Sequence, residues 1–169
     1  MIPHDEEFRT DQGALAFFIT FRTYGTWLHG DPRGSIDRFH NRFGTPKLPP
    51  SKMRMQRELE LLKQPPVRLS RRQRVAAADG IREICKKRNW DLWIVNVRTN
   101  HAHSVITANC NSKKVRSAIK ANATKMLREK GLWRSSESPW ASKGSRKHLW
   151  TQKQLINAIV YVMYDQGEY

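Results

Sequence analysis

Acidic residues are scarce in this chain. Asp and Glu total 15 against 31 Lys and Arg, for a net charge of +16 and a pI near 10.5. With so little acid, the positive charge is not balanced from within, and its self-repulsion calls for a polyanion. Nucleic acid is the first candidate, because Lys and Arg neutralising phosphates dominate that affinity. An anionic membrane surface is the rival. Cysteine is scarcer still: Cys85 and Cys110 are the only two, enough for one bridge but not for a disulfide framework. No apolar run approaches the ~20 residues that span a bilayer. The chain opens on an acidic stretch with Asp5-Glu6-Glu7, not on a basic-then-apolar leader. These absences predict an intracellular protein with no membrane partner. What is present is 38% hydrophobic residues over a length of 169, enough for one domain with a core.

The chain is organised around Asn96–Ile106, NVRTNHAHSVI. Trp90–Val95 is aromatic and β-branched, and Val95 and Val97 alternate with Asn96 and Arg98, the period-two pattern of a strand. Arg98-Thr99-Asn100 is short and polar and predicts a turn. A second strand then begins at His101. Alternate residues of a strand share a face. His101 and His103 therefore project side by side, as two imidazoles chelating one ion must. A bare His-x-His is common by chance, and two half-exposed surface histidines would read the same way.

Upstream, Ala14–Arg22 is apolar and β-rich and predicts a buried strand. Asp31 to Pro66 carries six prolines and the basic residues Arg33, Arg38, Arg42 and Lys47. It is an excursion from the core, longer than a simple connection. Within it, Ser51–Lys63 predicts a short helix capped by Ser51, with Met55, Leu59 and Leu62 on one face. Ser70–Asn89 predicts a helix with a Ser70/Gln73 capping box. Gly80 in that helix suggests close packing on a sheet. Ser112–Lys130 predicts another, stopped by Gly131 and covered with Lys113, Lys114, Arg116, Lys120, Lys125 and Arg128. Trp133, Trp140 and Trp150 follow among Ser, Gly and basic residues. Two of the three suit a core, and the segment as a whole suits stacking on single-stranded bases. Ser142–Lys147 can grip phosphates or form a turn into a last strand, Arg146–Trp150. Thr151–Gln166 predicts the final helix, with a Thr151/Gln154 capping box. On its wheel, Leu155, Ile156, Ile159, Val160, Val162 and Met163 make the buried arc. Tyr161 falls on the opposite, polar side, and Tyr164 at the arc's edge.

Three stretches, FFITFRTYGTWLHGDPRGSIDR (17–38), WIVNVRTNHAHSVI (93–106) and GSRKHLW…AIVYVMYDQGE (144–168), occur in an order that resembles the HUH superfamily. The resemblance is to its single-tyrosine transposases, insertion-sequence-200-like and REP-associated. It covers nearly the whole chain as one domain. It implies an α+β fold of ferredoxin-like or RRM-like type, an antiparallel sheet with helices on one face. The histidines would lie on a central strand and the tyrosine helix would dock near them. It also implies a cytoplasmic, bacterial-type, nucleoid-associated protein, with a homodimer compatible. The residue between the histidines, bulky and apolar in that family, is Ala102 here. A Gln that completes the family's metal site corresponds best to Gln166, while helical i+4 spacing from Tyr161 lands on Asp165. Gln166 has the family's chemistry, and Asp165 is a legitimate hard-oxygen ligand.

The expected activity is metal-dependent cleavage and rejoining of single-stranded or hairpin DNA. Mg²⁺ or Mn²⁺ on His101, His103 and Gln166 (or Asp165) would polarise the scissile phosphate. Tyr161 would attack it, giving a 5′-phosphotyrosine and a free 3′-OH. The expected DNA contacts are Arg22, Arg98, Lys113, Lys114, Arg116, Lys120, Lys143, Arg146 and Lys147. Two other classes fit the charge. One is a non-catalytic nucleic-acid-binding protein with the same fold. The other is an RRM-type RNA module whose sheet aromatics stack bases, which leaves the paired histidines and Tyr161 without a role.

Overall fold

The computed structural model describes residues 13–35 and 46–164. Arg38, Arg42, both candidate third ligands Asp165 and Gln166, and the acidic opening stretch lie outside the described residues. The elements run β1 (Ala16–Arg22), α1 (Lys52–Glu60), α2 (Arg71–Lys87), β2 (Asp91–Val97), β3 (His101–Thr107), α3 (Ser112–Glu129), β4 (Ser145–Leu149) and α4 (Gln152–Tyr164). The strands form one antiparallel sheet in the order β2-β3-β1-β4. With α1 and α4 set aside, this βαββαβ order is the ferredoxin-like, split βαβ arrangement. The α+β expectation therefore stands.

Strand alternation divides the sheet into two chemistries. Phe17, Ile19 and Phe21 of β1, Ala102 and Ile106 of β3 and Val97 of β2 project to one side. There they join Ala77, Ile81, Ile84 and Cys85 of α2 and Val115, Ile119, Ala123 and Leu127 of α3 in the main core. Removing each such large side chain from water contributes roughly 1.5–3 kcal/mol. Trp140 closes one end of this core, 2% exposed and edge-on to Phe21 at 4.9 Å. Trp133 packs partly buried against it. Trp150 is exposed and stacks on His148. The other side of the sheet carries Ala16, Val105 and Leu149 under Leu155, Ala158 and Val162 of α4.

Three expectations are corrected here. The crossover helices α2 and α3 do share one face of the sheet, but α4 lies on the opposite face, so the helices are not all on one side. The buried stripe of α4 is Leu155, Ala158 and Val162, while Ile156, Val160 and Met163 are exposed. Ile159 packs partly buried beside that row, so the helix is rotated to put this narrower face on the sheet. That rotation places Tyr161 on the flank of the buried row, and Tyr164 outward at 75% exposure. Gly80 serves helix–helix packing, not helix–sheet packing. A Cβ there would stand 2.6 Å from Asn122 O and 2.9 Å from Ala123 Cα of α3.

The excursion returns to the body through backbone bonds, Val67 N donating to Tyr24 O and Leu69 N to Thr99 O. Its helix α1 is capped by Ser51 and buries no residue. Among the described residues, no helix is long and apolar enough to cross a membrane.

Candidate active site

Three elements meet on the α4 side of the sheet. β3 contributes His101 and His103, β1 contributes Phe18, Thr20 and Arg22, and α4 contributes Tyr161. The ladder sets the pairing: Thr20 lies opposite His103, Arg22 opposite His101, and Asn96 of β2 opposite His103 on its other side. The two imidazole rings are 4.7 Å apart between centres.

Each ring is held from behind. His101 Nδ1 donates to Asn100 Oδ1 at 2.6 Å. An amide oxygen only accepts, so the His101 proton is on Nδ1 and the lone pair on Nε2. His103 Nδ1 is 2.7 Å from Thr20 Oγ1, which again leaves Nε2 to face outward. Metal-binding histidines are held this way, with the far nitrogen bonded to an oxygen that fixes ring and tautomer. Burial, followed by the charges of Arg22 and Arg98, pulls His101 down to about 4. Burial, followed by His101 and the same arginines, pulls His103 to about 4. Both imidazoles are therefore neutral at physiological pH, which is the ligating form. On donor chemistry the pair fits a divalent ion. Among the described residues no third His, Cys, Asp or Glu joins them.

Tyr161 stands next to this pair. Its ring centre is 5.8 Å from that of His103 and 5.9 Å from that of Phe18, near perpendicular to both. Phe18 in turn tilts against His103 at 5.5 Å. The apolar row of α4 sets the distance of the helix from the sheet, and Asn96 Nδ2 donates to Val162 O at 3.3 Å. Tyr161 keeps 41% exposure, so its phenol is reachable.

Arg22 projects beside His101, with its guanidinium carbon 3.5 Å from the centre of the Trp27 ring. Burial, then the like charge of Arg33, lowers it to about 10, so it stays cationic at neutral pH. Arg98 N donates to His101 O at 2.7 Å and closes the β2–β3 turn. Lys147 lies opposite Phe18 and so shares the site's face of the sheet. Lys143 is exposed before β4, and Lys113 and Lys114 are exposed at the start of α3, in the other layer. Arg116, Lys120 and Arg146 turn inward. Arg116 Nη1 donates to Gly144 O at 2.5 Å, and Lys120 Nζ donates to Ala141 O at 2.5 Å and Ser142 O at 3.2 Å. Arg146 Nη1 donates to Ser112 Oγ at 3.3 Å. These three tie the approach to β4 onto α3 and hold its shape.

Four further residues complete the site beyond those expected from the sequence: Phe18, Thr20, Trp27 and Asn100. Phe18 and Thr20 share parity with Arg22 in AFFITFR, so the alternation that buries Phe17, Ile19 and Phe21 already sends them to the histidine face. Asn100 and Trp27 carry no periodic signal. The chain matches no protein-family model, and no curated protein matches it.

Proposed function

We propose that the protein cleaves and rejoins single-stranded DNA through a covalent tyrosine link. One juxtaposition carries the reading: Tyr161 on α4 beside a histidine pair whose Nδ1 atoms are held by Asn100 and Thr20. The chain's +16 charge supports a polyanionic substrate.

In this reading the Tyr161 oxygen attacks the scissile phosphorus as the P–O3′ bond breaks. The phenol gives its proton to water, the leaving 3′ oxygen takes one from water and departs as a free 3′-OH, and the 5′ phosphate stays on Tyr161. Nucleophile and phosphate are held together by the elements that hold the site, which supplies much of the rate. The link keeps the phosphodiester energy, so a 3′-OH attacking it restores a DNA strand without a nucleotide cofactor. Arg22 supplies fixed positive charge at the phosphate. Nε2 of His101 and of His103, completed by Gln166 or Asp165, would hold Mg²⁺ or Mn²⁺, whose contribution when bound is to polarise the phosphate.

The test is nicking of end-labelled hairpin oligonucleotides with single-stranded flanks, with and without Mn²⁺. Metal-dependent cleavage that leaves label on the protein is expected. His101→Ala and His103→Ala should abolish it while leaving most DNA affinity. Wild-type nicking by the double variant would refute the metal site. Tight DNA binding with no cleavage at all would assign a non-catalytic role.

A further inference from the structure

Beside the histidine pair the fold leaves a cavity of about 330 Å³. Its walls come from β1, the turn after it and the start of β4, with Thr20, Arg22, Trp27, His29, Ser35 and Gly144 among them. Two of these residues belong to both places. Thr20 holds His103 through its hydroxyl, and Arg22 stands opposite His101 in the ladder. The cavity therefore begins one side chain away from where the scissile phosphate would sit.

The wall chemistry suits a flat heterocycle. The indole of Trp27 is fixed by Nε1 donating to Gly34 O at 2.8 Å, and the guanidinium carbons of Arg22 and Arg33 lie over its ring at 3.5 and 4.4 Å from the centre, with Lys47 Nζ at 5.7 Å, so the surface offered to a base is a guanidinium–indole stack. Aromatic rings and arginine planes are the surfaces on which unpaired bases stack. Gly144 adds bare backbone to the lining, where a Cβ would stand 2.7 Å from Thr20 O. His29, Ser35 and Ser145 add donors and acceptors to the lining. The volume lies at the lower end of small-molecule sites and has room for one base. Arg22 and Lys143 in the lining supply charge for a phosphate attached to that base.

We propose that this cavity seats the base of one nucleotide flanking the scissile phosphate, drawn out of its stack, and so selects where the strand is cut. The position beside a scissile phosphate rests on the strand-transfer reading, but the base seat itself does not require cleavage. A nucleotide whose phosphate is held at Arg22 has its base within reach of Trp27. Extruding a base is cheapest from single-stranded DNA, the same substrate class.

The experiment is saturation-transfer NMR on the full chain in EDTA, with the four deoxynucleoside 5′-monophosphates as probes and deoxyribose 5-phosphate as the base-free control. At least one nucleotide should bind about tenfold or more tighter than the control, with saturation reaching its base protons. Trp27→Leu should erase that preference. Ala141→Leu, which fills the cavity from another wall and leaves Trp27 intact, should erase it too, each variant being checked for folding by circular dichroism. Tyr161→Phe should keep it. If no nucleotide outbinds deoxyribose phosphate, or the preference survives in either folded variant, the cavity is not a base seat. Since no metal or cleavage is involved, a chain that never cuts DNA can still pass, and a chain that cuts can fail.

Discussion

Thr20 Oγ1 and His103 Nδ1 lie 2.7 Å apart across the β1–β3 ladder. One hydroxyl thereby orients the more buried of the two imidazoles. Thr20→Val keeps the β-branched shape and removes only the hydrogen bond, so the loss of stability should be about 1 kcal/mol. The effect on metal should be far larger. Removing such a supporting partner lowers metal affinity by roughly 10–100-fold, read by titrating Mn²⁺ under electron paramagnetic resonance. Thr20→Ser should restore most of it. Equal Mn²⁺ affinity in wild type and Thr20→Val would mean that His103 is not a ligand.

Both histidines are lowered to about 4 by burial first and neighbouring positive charge second. An unfolded histidine titrates near ~6.5. Between those values the unfolded chain binds more protons than the folded one, so stability falls as pH falls. Metal-free protein should therefore lose stability progressively from about pH 6.5 down to about 4. Asp31, held below its usual range chiefly by the Arg33 guanidinium, adds its own acid-side loss. The informative quantity is thus the difference between wild type and the His101→Ala/His103→Ala double variant in urea melts. Parallel curves across that window would show that the imidazoles are not desolvated in the folded state.

Most of the frame was legible because local chemistry and fold agree. Ser70 and Gln73 make both bonds of the capping box read from their spacing. Gln154 accepts from the backbone of Thr151 and Trp150. The alternation of His101 and His103 survives because a strand has only two faces. What was not legible depends on partners distant in sequence. The wheel of α4 cannot say how wide a stripe a sheet will cover, so its apolar arc takes in Ile156, Val160 and Met163, which stand exposed. Trp27 and Asn100 reach the site from turns, where no period constrains them.

Gly80 offers a test of the core that is independent of function. Gly80→Ala improves helix propensity by about 1 kcal/mol. Yet the new methyl meets backbone of α3, Asn122 O at 2.6 Å and Ala123 Cα at 2.9 Å, which cannot swing aside as a side chain would. The clash should outweigh the propensity, leaving a net loss of roughly 1–2 kcal/mol and a lower melting temperature. A stabilised Gly80→Ala protein would mean that α2 and α3 do not pack this closely.

Affinity for single-stranded or hairpin DNA should fall steeply with salt, given the +16 charge. Each phosphate contact contributes a log–log slope of about −0.7 on single strands. Lys143 and Lys147 are exposed, and Lys147 shares a face with Phe18 and the histidines. Replacing either with Ala should flatten the slope by about that amount in fluorescence anisotropy at several salt concentrations. A salt-independent affinity in the wild type would remove the case for a phosphate-tracking surface.

The tyrosine that carries the covalent link can be told from its neighbour on the same helix. Tyr161 flanks the buried row of α4, and its ring lies 5.8 Å from that of His103. Tyr164, one turn later, is 75% exposed. A nucleophile must be held near both the phosphate and the charge that stabilises its transition state. Phe18 and His103 hold Tyr161 in that way. Tyr161→Phe keeps the ring and its packing and removes only the attacking oxygen, so folding and DNA affinity should be unchanged while the protein–DNA adduct disappears. Tyr164→Phe should leave the adduct largely intact. The assay is a denaturing gel of Mn²⁺ reactions on a suicide oligonucleotide carrying separate labels 5′ and 3′ of the cut. In wild type the 3′-side label should migrate with protein and the 5′-side label should not. An adduct that persists in Tyr161→Phe and is lost in Tyr164→Phe would overturn the assignment of the nucleophile, and with it the roles proposed for Asp165 and Gln166, which are counted from Tyr161 along the sequence.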